Sequence, residues 1–83
     1  MNPKAIDTII RLKRVSEETG TAKSTVYLRI AQGLHTPPIK IGPRAVGWPS
    51  SEIAALNAAR IAGKSDADIR SLVAKLVEAR HVR

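Results

Sequence analysis

The segment KRVSEETGTAKSTVYLRIAQ, residues 13–32, carries two short helical patterns separated by Gly20. The first pattern predicts a helix over residues 13–19, because a glycine that follows a helical run is a common helix stop. The second predicts a helix over residues 22–32, in which alanine, valine and isoleucine recur every four residues and form one apolar stripe. Two short helices joined by a glycine turn are typical of a helix-turn-helix.

The residues that follow predict a β-hairpin. The adjacent prolines at 37–38 block any continuation of the helix and favour extended backbone. Two extended runs, 39–41 and 45–48, flank a Gly-Pro-Arg tip at 42–44. A short apolar run at 9–12 predicts one more strand. The predicted fold class is therefore mostly α with a small β-hairpin, arranged as a winged helix-turn-helix plus a C-terminal helix.

Two further helices are predicted after the hairpin. Ser50 or Ser51 is a suitable N-cap for a helix that runs to about Ala62. Its residues Ile53, Leu56 and Ile61 are expected to face inward.

The last helix is predicted to open at Ser65, within a capping box, and to run to about Arg80. Its apolar residues recur with helical spacing, so the stripe either packs on the preceding domain or pairs with a second copy in a dimer. We divide the chain into a winged helix-turn-helix domain over residues 1–63 and an amphipathic helix over residues 64–83. The stripe consists of Ile69, Leu72, Val73, Leu76 and Val77.

The formal net charge of +7 is concentrated in one part of the chain. Residues 11–44 hold seven Lys and Arg against two Glu and so carry five of the seven excess charges. This distribution indicates a basic folded surface around the two short helices and the hairpin rather than a basic tail. The partner that such a surface favours is double-stranded DNA, with a homodimer or a cooperative array as the candidate assembly on it.

The composition excludes several classes of protein. The chain has 83 residues, enough for one small domain, and no cysteine, which rules out disulfides and cysteine-ligated zinc. No apolar run approaches the roughly 18 residues of a membrane span, and no phosphate-binding loop or catalytic Ser-His-acid set is present. We therefore expect a cytoplasmic, nucleoid-associated protein without enzymatic activity, metal, cofactor, small-molecule substrate or membrane partner.

Seven side chains are candidates for contacts with DNA. Hydroxyl and cationic side chains near the start of a groove-binding helix suit phosphate oxygens and base edges, and a basic hairpin tip suits an adjacent phosphate. The candidates are Lys23, Ser24, Thr25, Tyr27, Arg29, Lys40 and Arg44. Four residues of the second helix do not fall on its apolar stripe and are predicted to share a polar, basic face: Lys23, Ser24, Tyr27 and Arg29.

Several of these residues also have a structural interpretation. Ser24 and Thr25 are typical of a helix start, Tyr27 of the edge of a core and Arg29 of a solvated surface. Trp48 is expected in the core, as the large apolar anchor of a domain with only two aromatic residues. The two histidines, His35 and His81, are interpreted as surface or loop residues.

The segments ETGTAKSTVY at 18–27 and PIKIGPRAVGW at 38–48 resemble the AlpA-like phage regulatory proteins. These are small MerR-type winged-helix proteins related to phage excisionases, and the resemblance covers roughly residues 9–62. It implies sequence-specific DNA binding in bacteria or their prophages, with the second helix in the groove and the tip at 42–44 as the wing. The family usually has a capping residue where this chain has Ala22. Thr21 is expected to cap instead, which would shift the helix start by one residue.

Three functions are consistent with this sequence. The first is a transcriptional regulator of a prophage or integrated element that binds DNA sequence-specifically. The second is an excisionase, or recombination directionality factor, which bends DNA at an attachment site. The third belongs to another class, a protein-interaction module such as an anti-repressor that uses the C-terminal helix.

Overall fold

The computed structural model describes residues 7–81, which form four helices and a three-stranded sheet. This architecture confirms the predicted class, mostly α with a small hairpin, in a winged helix-turn-helix arrangement followed by a C-terminal helix. In chain order the elements are β1 (Ile9–Ile10), α1 (Leu12–Thr19), α2 (Lys23–Ala31), β2 (Ile39–Gly42), β3 (Ala45–Pro49), α3 (Ser50–Ile61) and α4 (Asp66–Ala79).

β3 is the central strand of the sheet, with β1 and β2 antiparallel on either side of it. The hairpin β2–β3 was predicted, whereas the pairing of β1 with β3 was not. Gly47 allows this pairing, because a Cβ at that position would lie only 2.5 Å from Ile9 Cγ2 and 3.0 Å from the carbonyl oxygen of Ile10. The sheet thus ties the segment before α1 to the base of the hairpin.

Trp48 lies at the centre of the first hydrophobic cluster and is completely buried, as expected. Its indole N–H donates a 2.8 Å hydrogen bond to the carbonyl oxygen of Thr36. Val15 of α1, Val26 of α2 and Ile53 of α3 belong to the same cluster. This cluster therefore joins three helices to β3, and the hydrogen bond of the indole adds the loop after α2.

A second hydrophobic cluster joins α4 to α3 and to the loop after α2. α4 begins after Ser65, whose hydroxyl accepts a 3.2 Å hydrogen bond from the Asp68 N–H, so the predicted cap is confirmed. The buried members of the cluster are Leu34, Leu56, Ile69 and Val73, and partly buried Leu72, Leu76 and Val77 pack against them. The whole predicted stripe of α4 thus contacts its own domain, and pairing of this helix with a second copy stays a prediction.

Arg70 of α4 and Arg80, which is the C-cap of this helix, add polar contacts to this packing. Arg80 forms a two-pronged ion pair with Glu52 of α3 at 2.6 and 2.7 Å, and the Glu52 side chain is only 2% exposed. Arg80 also donates to the carbonyl oxygen of Pro37 at 2.8 Å. Arg70 donates to the carbonyl oxygen of Gln32 at 2.9 Å. α4 is thereby bonded to both ends of the segment that connects α2 with β2.

The first turn of α3 is capped by a residue that is distant in the sequence. Neither Ser50 nor Ser51 is the N-cap, since both lie inside the helix and Pro49 occupies the cap position. The carboxylate of Asp7 accepts hydrogen bonds from the Ser51 N–H at 3.0 Å and from the hydroxyls of both serines. The prediction of a local serine cap was wrong because the pairing of β1 with β3 brings this acid beside the helix start.

Ile61 is 87% exposed, so the prediction that it faces inward was wrong. Ile53 and Leu56 are buried as expected. A helix advances about 100° per residue, which places Ile61 well outside the narrow stripe that these two residues define. The stripe continues instead at Arg60, which is half-buried.

His35 lies in the loop after α2, as expected, but it is buried with only 4% of its surface exposed. Its ring meets Trp48 edge-to-face, with the ring centroids 6.2 Å apart. Burial, assisted by the positive charges of Arg29 and Arg60, lowers the pKa of His35 to about 4, although Glu52 acts in the opposite direction. His35 is therefore a neutral core residue at physiological pH.

We expect Arg80→Ala to lower the free energy of unfolding by about 3 kcal/mol, because the buried Glu52 carboxylate loses its counter-charge. Urea denaturation, followed by the fluorescence of Trp48 and by circular dichroism, measures this value. Arg70→Ala removes a single hydrogen bond to a carbonyl group and should cost about 1 kcal/mol or less. Equal losses in the two variants would contradict a structural role for the Arg80–Glu52 pair.

We also expect the free energy of unfolding to fall as the pH is lowered from about 6.5 towards 4. In this window His35 of the unfolded chain, with its ordinary pKa of 6.5, takes up a proton, while the folded protein keeps the ring neutral. The contribution of the neutral His35 ring to the free energy of unfolding is fully present above pH 6.5 and is lost on acidification. Urea titrations at several pH values should show a flatter pH dependence for His35→Gln. The matched variant at the exposed His81, His81→Gln, should retain the dependence of the parent, and equal slopes for both variants would refute the assignment.

Candidate nucleic-acid interface

The turn between α1 and α2 is tightly bonded to α1. Gly20 adopts the left-handed conformation with φ 69°, as its position after the helix predicted. The Thr21 N–H donates to the carbonyl oxygen of Ser16 at 3.1 Å, and the Ser16 hydroxyl donates back to the carbonyl oxygen of Thr21. The Thr19 hydroxyl bonds the carbonyl oxygen of Val15 at 2.8 Å. These bonds fix the direction in which α2 leaves the turn.

α2 begins at Lys23 without a side-chain cap. Ala22 occupies the N-cap position, and the Thr21 hydroxyl lies 2.9 Å from the Thr19 hydroxyl instead of capping the helix, so the prediction that Thr21 caps it was wrong. The first turn also contains no acidic residue. The Thr25 N–H donates to the carbonyl oxygen of Ala22 at 3.0 Å, but no side chain caps the turn. The positive end of the helix dipole therefore suits an external anion such as a phosphate.

One face of α2 is exposed along the whole helix. A spacing of three and four residues along a helix places side chains side by side on its surface. The exposed residues of this face are Lys23, Ser24, Tyr27, Leu28 and Ala31. Three of the sequence-predicted candidates, the first three of this set, are therefore brought together, and we call these five residues the α2 face.

Tyr27 has the features of both a residue at the edge of the core and a candidate for contact with DNA. Its ring packs edge-to-face on Trp48, with the centroids 6.3 Å apart and the ring planes at 68°. At the same time the residue is 45% exposed. The ring therefore anchors α2 to β3 and remains accessible on the α2 face.

Leu28 is a residue of this face that the sequence did not predict. It is 56% exposed and belongs to neither hydrophobic cluster. A signal was available, because Leu28 lies off the stripe that contains Val26 and Ile30. Leucine in a small domain is usually a core residue, however, so its residue type did not indicate a place on the surface.

Arg29 is not brought to the α2 face. It follows Tyr27 by two residues, which places it about 200° further around the helix, and it is half-buried. Burial and the nearby charge of Arg60 lower the pKa of Arg29, while Asp66 acts against them. The structure thus separates Arg29 from the other candidates of the helix, with which it was predicted to share a face. Thr25 is also half-buried and does not belong to the α2 face.

The hairpin carries the remaining candidates, and both are exposed. Lys40 lies opposite Val46 in the ladder, and Arg44 stands in the turn that follows Gly42. An irregularity between Lys40 and Gly42 shifts the register of the two strands. A basic residue therefore occupies the tip of the hairpin, and a second lies on its outer strand.

The segment of the chain that carries both exposed elements contains no acidic residue. Residues 19–51 contain four Lys or Arg and no Asp or Glu, and the acidic residues nearest in sequence are Glu18 and the buried Glu52. The α2 face and the hairpin thus belong to a segment whose charged residues are all basic, which suits a polyanion.

Residues 7–81 contain neither a candidate metal site nor a candidate membrane span. This part of the chain contains no cluster of histidine or acidic residues that could hold a metal ion. None of its helices has both the length and the apolar character that crossing a lipid bilayer requires.

Comparison with known proteins gives two matches. The family model described as "Prophage CP4-57 regulatory protein (AlpA)" matches residues 8–61. An uncharacterised protein, ORF88 of Enterobacteria phage P4, is 36% identical over 55 residues, a segment that covers 66% of this chain and 62% of the phage protein. The chain thus matches a little under two thirds of the length of this relative. No solved structure gives a significant match.

The family match begins just before β1 and ends at the last residue of α3. It therefore contains both helices of the helix-turn-helix, the sheet and the helix that supports them, which is more than half of the chain. On this basis the chain belongs to the AlpA family of prophage regulatory proteins.

Proposed function

We propose that this protein is a transcriptional regulator of a prophage or integrated element and that it binds double-stranded DNA sequence-specifically. The observation that carries the proposal is the pairing of the exposed α2 face with a basic hairpin on a segment free of acidic residues. Membership of a family of prophage regulatory proteins supports the regulatory role.

In the proposed complex, α2 enters the major groove, which has the width to admit one helix. The uncapped first turn of α2 binds a backbone phosphate, with Lys23 and the Ser24 hydroxyl beside it. The Tyr27 hydroxyl donates to a second phosphate, and its ring is held in place by Trp48.

The hairpin acts as the wing of this complex. Arg44 at its tip and Lys40 on its outer strand contact the backbone next to the groove that α2 occupies. A single module of this size buries roughly 600–1,000 Å² on DNA. We therefore propose that two or more copies bind together, as a homodimer or a cooperative array, to reach useful specificity.

We expect Lys23→Ala and Arg44→Ala each to weaken DNA binding and to reduce the slope of log Kd against log salt by about one. The measurement is fluorescence anisotropy with a duplex obtained by selection from random DNA, between 50 and 200 mM salt. Lys75→Ala on α4 is the matched control, since it removes the same charge from an exposed position outside the proposed interface. An unchanged slope in the two test variants, or an equal change in the control, would argue against this interface.

Tyr27→Phe should weaken binding by about tenfold, because a hydrogen bond to a charged phosphate is lost while the ring contact with Trp48 is kept. Its free energy of unfolding should stay close to that of the parent. Tyr27→Ala should lose both affinity and stability, since the edge-to-face contact disappears as well. If Tyr27→Phe binds as tightly as the parent, the tyrosine serves packing alone.

A further inference from the structure

The centre of the α2 face carries no charge. Lys23 lies at one edge of this face, whereas Ser24, Tyr27, Leu28 and Ala31 form a compact group at the spacing of three and four residues. The largest aliphatic side chain of the group is Leu28, with 56% of its surface exposed. The part of α2 that would lie deepest in a groove is therefore apolar on one side.

Leu28 has no role in the folding of the domain that would explain its identity. It contributes to neither of the two hydrophobic clusters, whereas Val26 and Ile30 of the same helix pack in the first. A single exposed apolar residue needs no explanation. Exposed Ala31, however, lies three residues after Leu28 and four after exposed Tyr27, so it links the two side chains on the surface of α2. The three residues belong to a segment that contains no acidic residue.

A base pair offers one apolar group to the major groove, the C5-methyl group of thymine. A leucine side chain that is directed into the groove is complementary to such a methyl group and gains the free energy of burying it. Cytosine presents no methyl group at the same place, so the contact distinguishes the two pyrimidines.

We infer that Leu28 is a specificity-determining residue that reads a thymine by contact with its C5-methyl group. The inference rests on the proposed function, because it requires α2 to lie in the major groove. It adds a base contact to the phosphate contacts of Lys23 and Tyr27, which position the helix but carry no sequence information.

The test uses deoxyuridine, which pairs like thymidine but lacks the methyl group. Each thymine of the selected duplex is replaced in turn, and Kd is measured for the full chain and for Leu28→Ala. For the parent we expect one or two positions where the replacement weakens binding by roughly fourfold, the effect of burying one methyl group. Leu28→Ala should bind the thymine and uracil duplexes equally at these positions. It should also fold normally, because alanine favours an exposed helical position.

A matched control is Ile61→Ala, which shortens an equally apolar and even more exposed side chain on α3. This variant should retain the full thymine-to-uracil difference. If no uracil replacement changes the affinity of the selected duplex, the inference is wrong but the proposed function is not affected. The same holds if the thymine-to-uracil difference persists in Leu28→Ala. Failure of the parent chain to select any DNA sequence would overturn the proposed function and the inference with it.

Discussion

The burial of one indole ring holds this small domain together. Trp48 is fully enclosed, and its N–H is bonded to the Thr36 carbonyl group, so the ring cannot shift without breaking a buried hydrogen bond. Val15 and Val26, from the two short helices, belong to the same buried cluster. Neither helix is long enough to be stable alone in water, and their mutual orientation therefore depends on this cluster together with the hydrogen bonds of the turn between them.

The same ring joins the two elements of the proposed interface. Trp48 belongs to the inner strand of the hairpin and contacts Tyr27, whose other side forms part of the α2 face. A helix and a hairpin that share a rigid aromatic contact are presented to a partner as one surface. Such preorganisation lowers the conformational entropy that binding would otherwise cost.

The sequence predicted the features of this fold that depend on neighbouring residues. Gly20 ends α1, the apolar stripe of α4 packs in the second hydrophobic cluster, and the two strands of the hairpin flank the Gly-Pro-Arg tip. The features that it did not predict depend on contacts between distant segments. Asp7 caps a helix that begins 43 residues later, and Glu52 is buried because Arg80 reaches it from another helix.

The candidate site divides in the same way. Helical spacing correctly grouped Lys23, Ser24 and Tyr27, since their relative positions follow from the geometry of one helix. The grouping of Arg29 with these residues was wrong, because Arg29 lies about 200° around the helix from Tyr27. Burial and the charge of Arg60, opposed by Asp66, lower the pKa of Arg29, and these neighbours from later elements were not predicted from the sequence.

The contacts of α4 have a consequence for how the interface can be adjusted. Arg70 and Arg80 hold the two ends of the connector between α2 and the hairpin, at Gln32 and Pro37. α4 lies beyond the segment that matches the family model, which ends at residue 61. In the proposed complex with DNA, substitutions in α4 would therefore change how α2 and the hairpin are held relative to each other while leaving every side chain of the proposed interface unchanged.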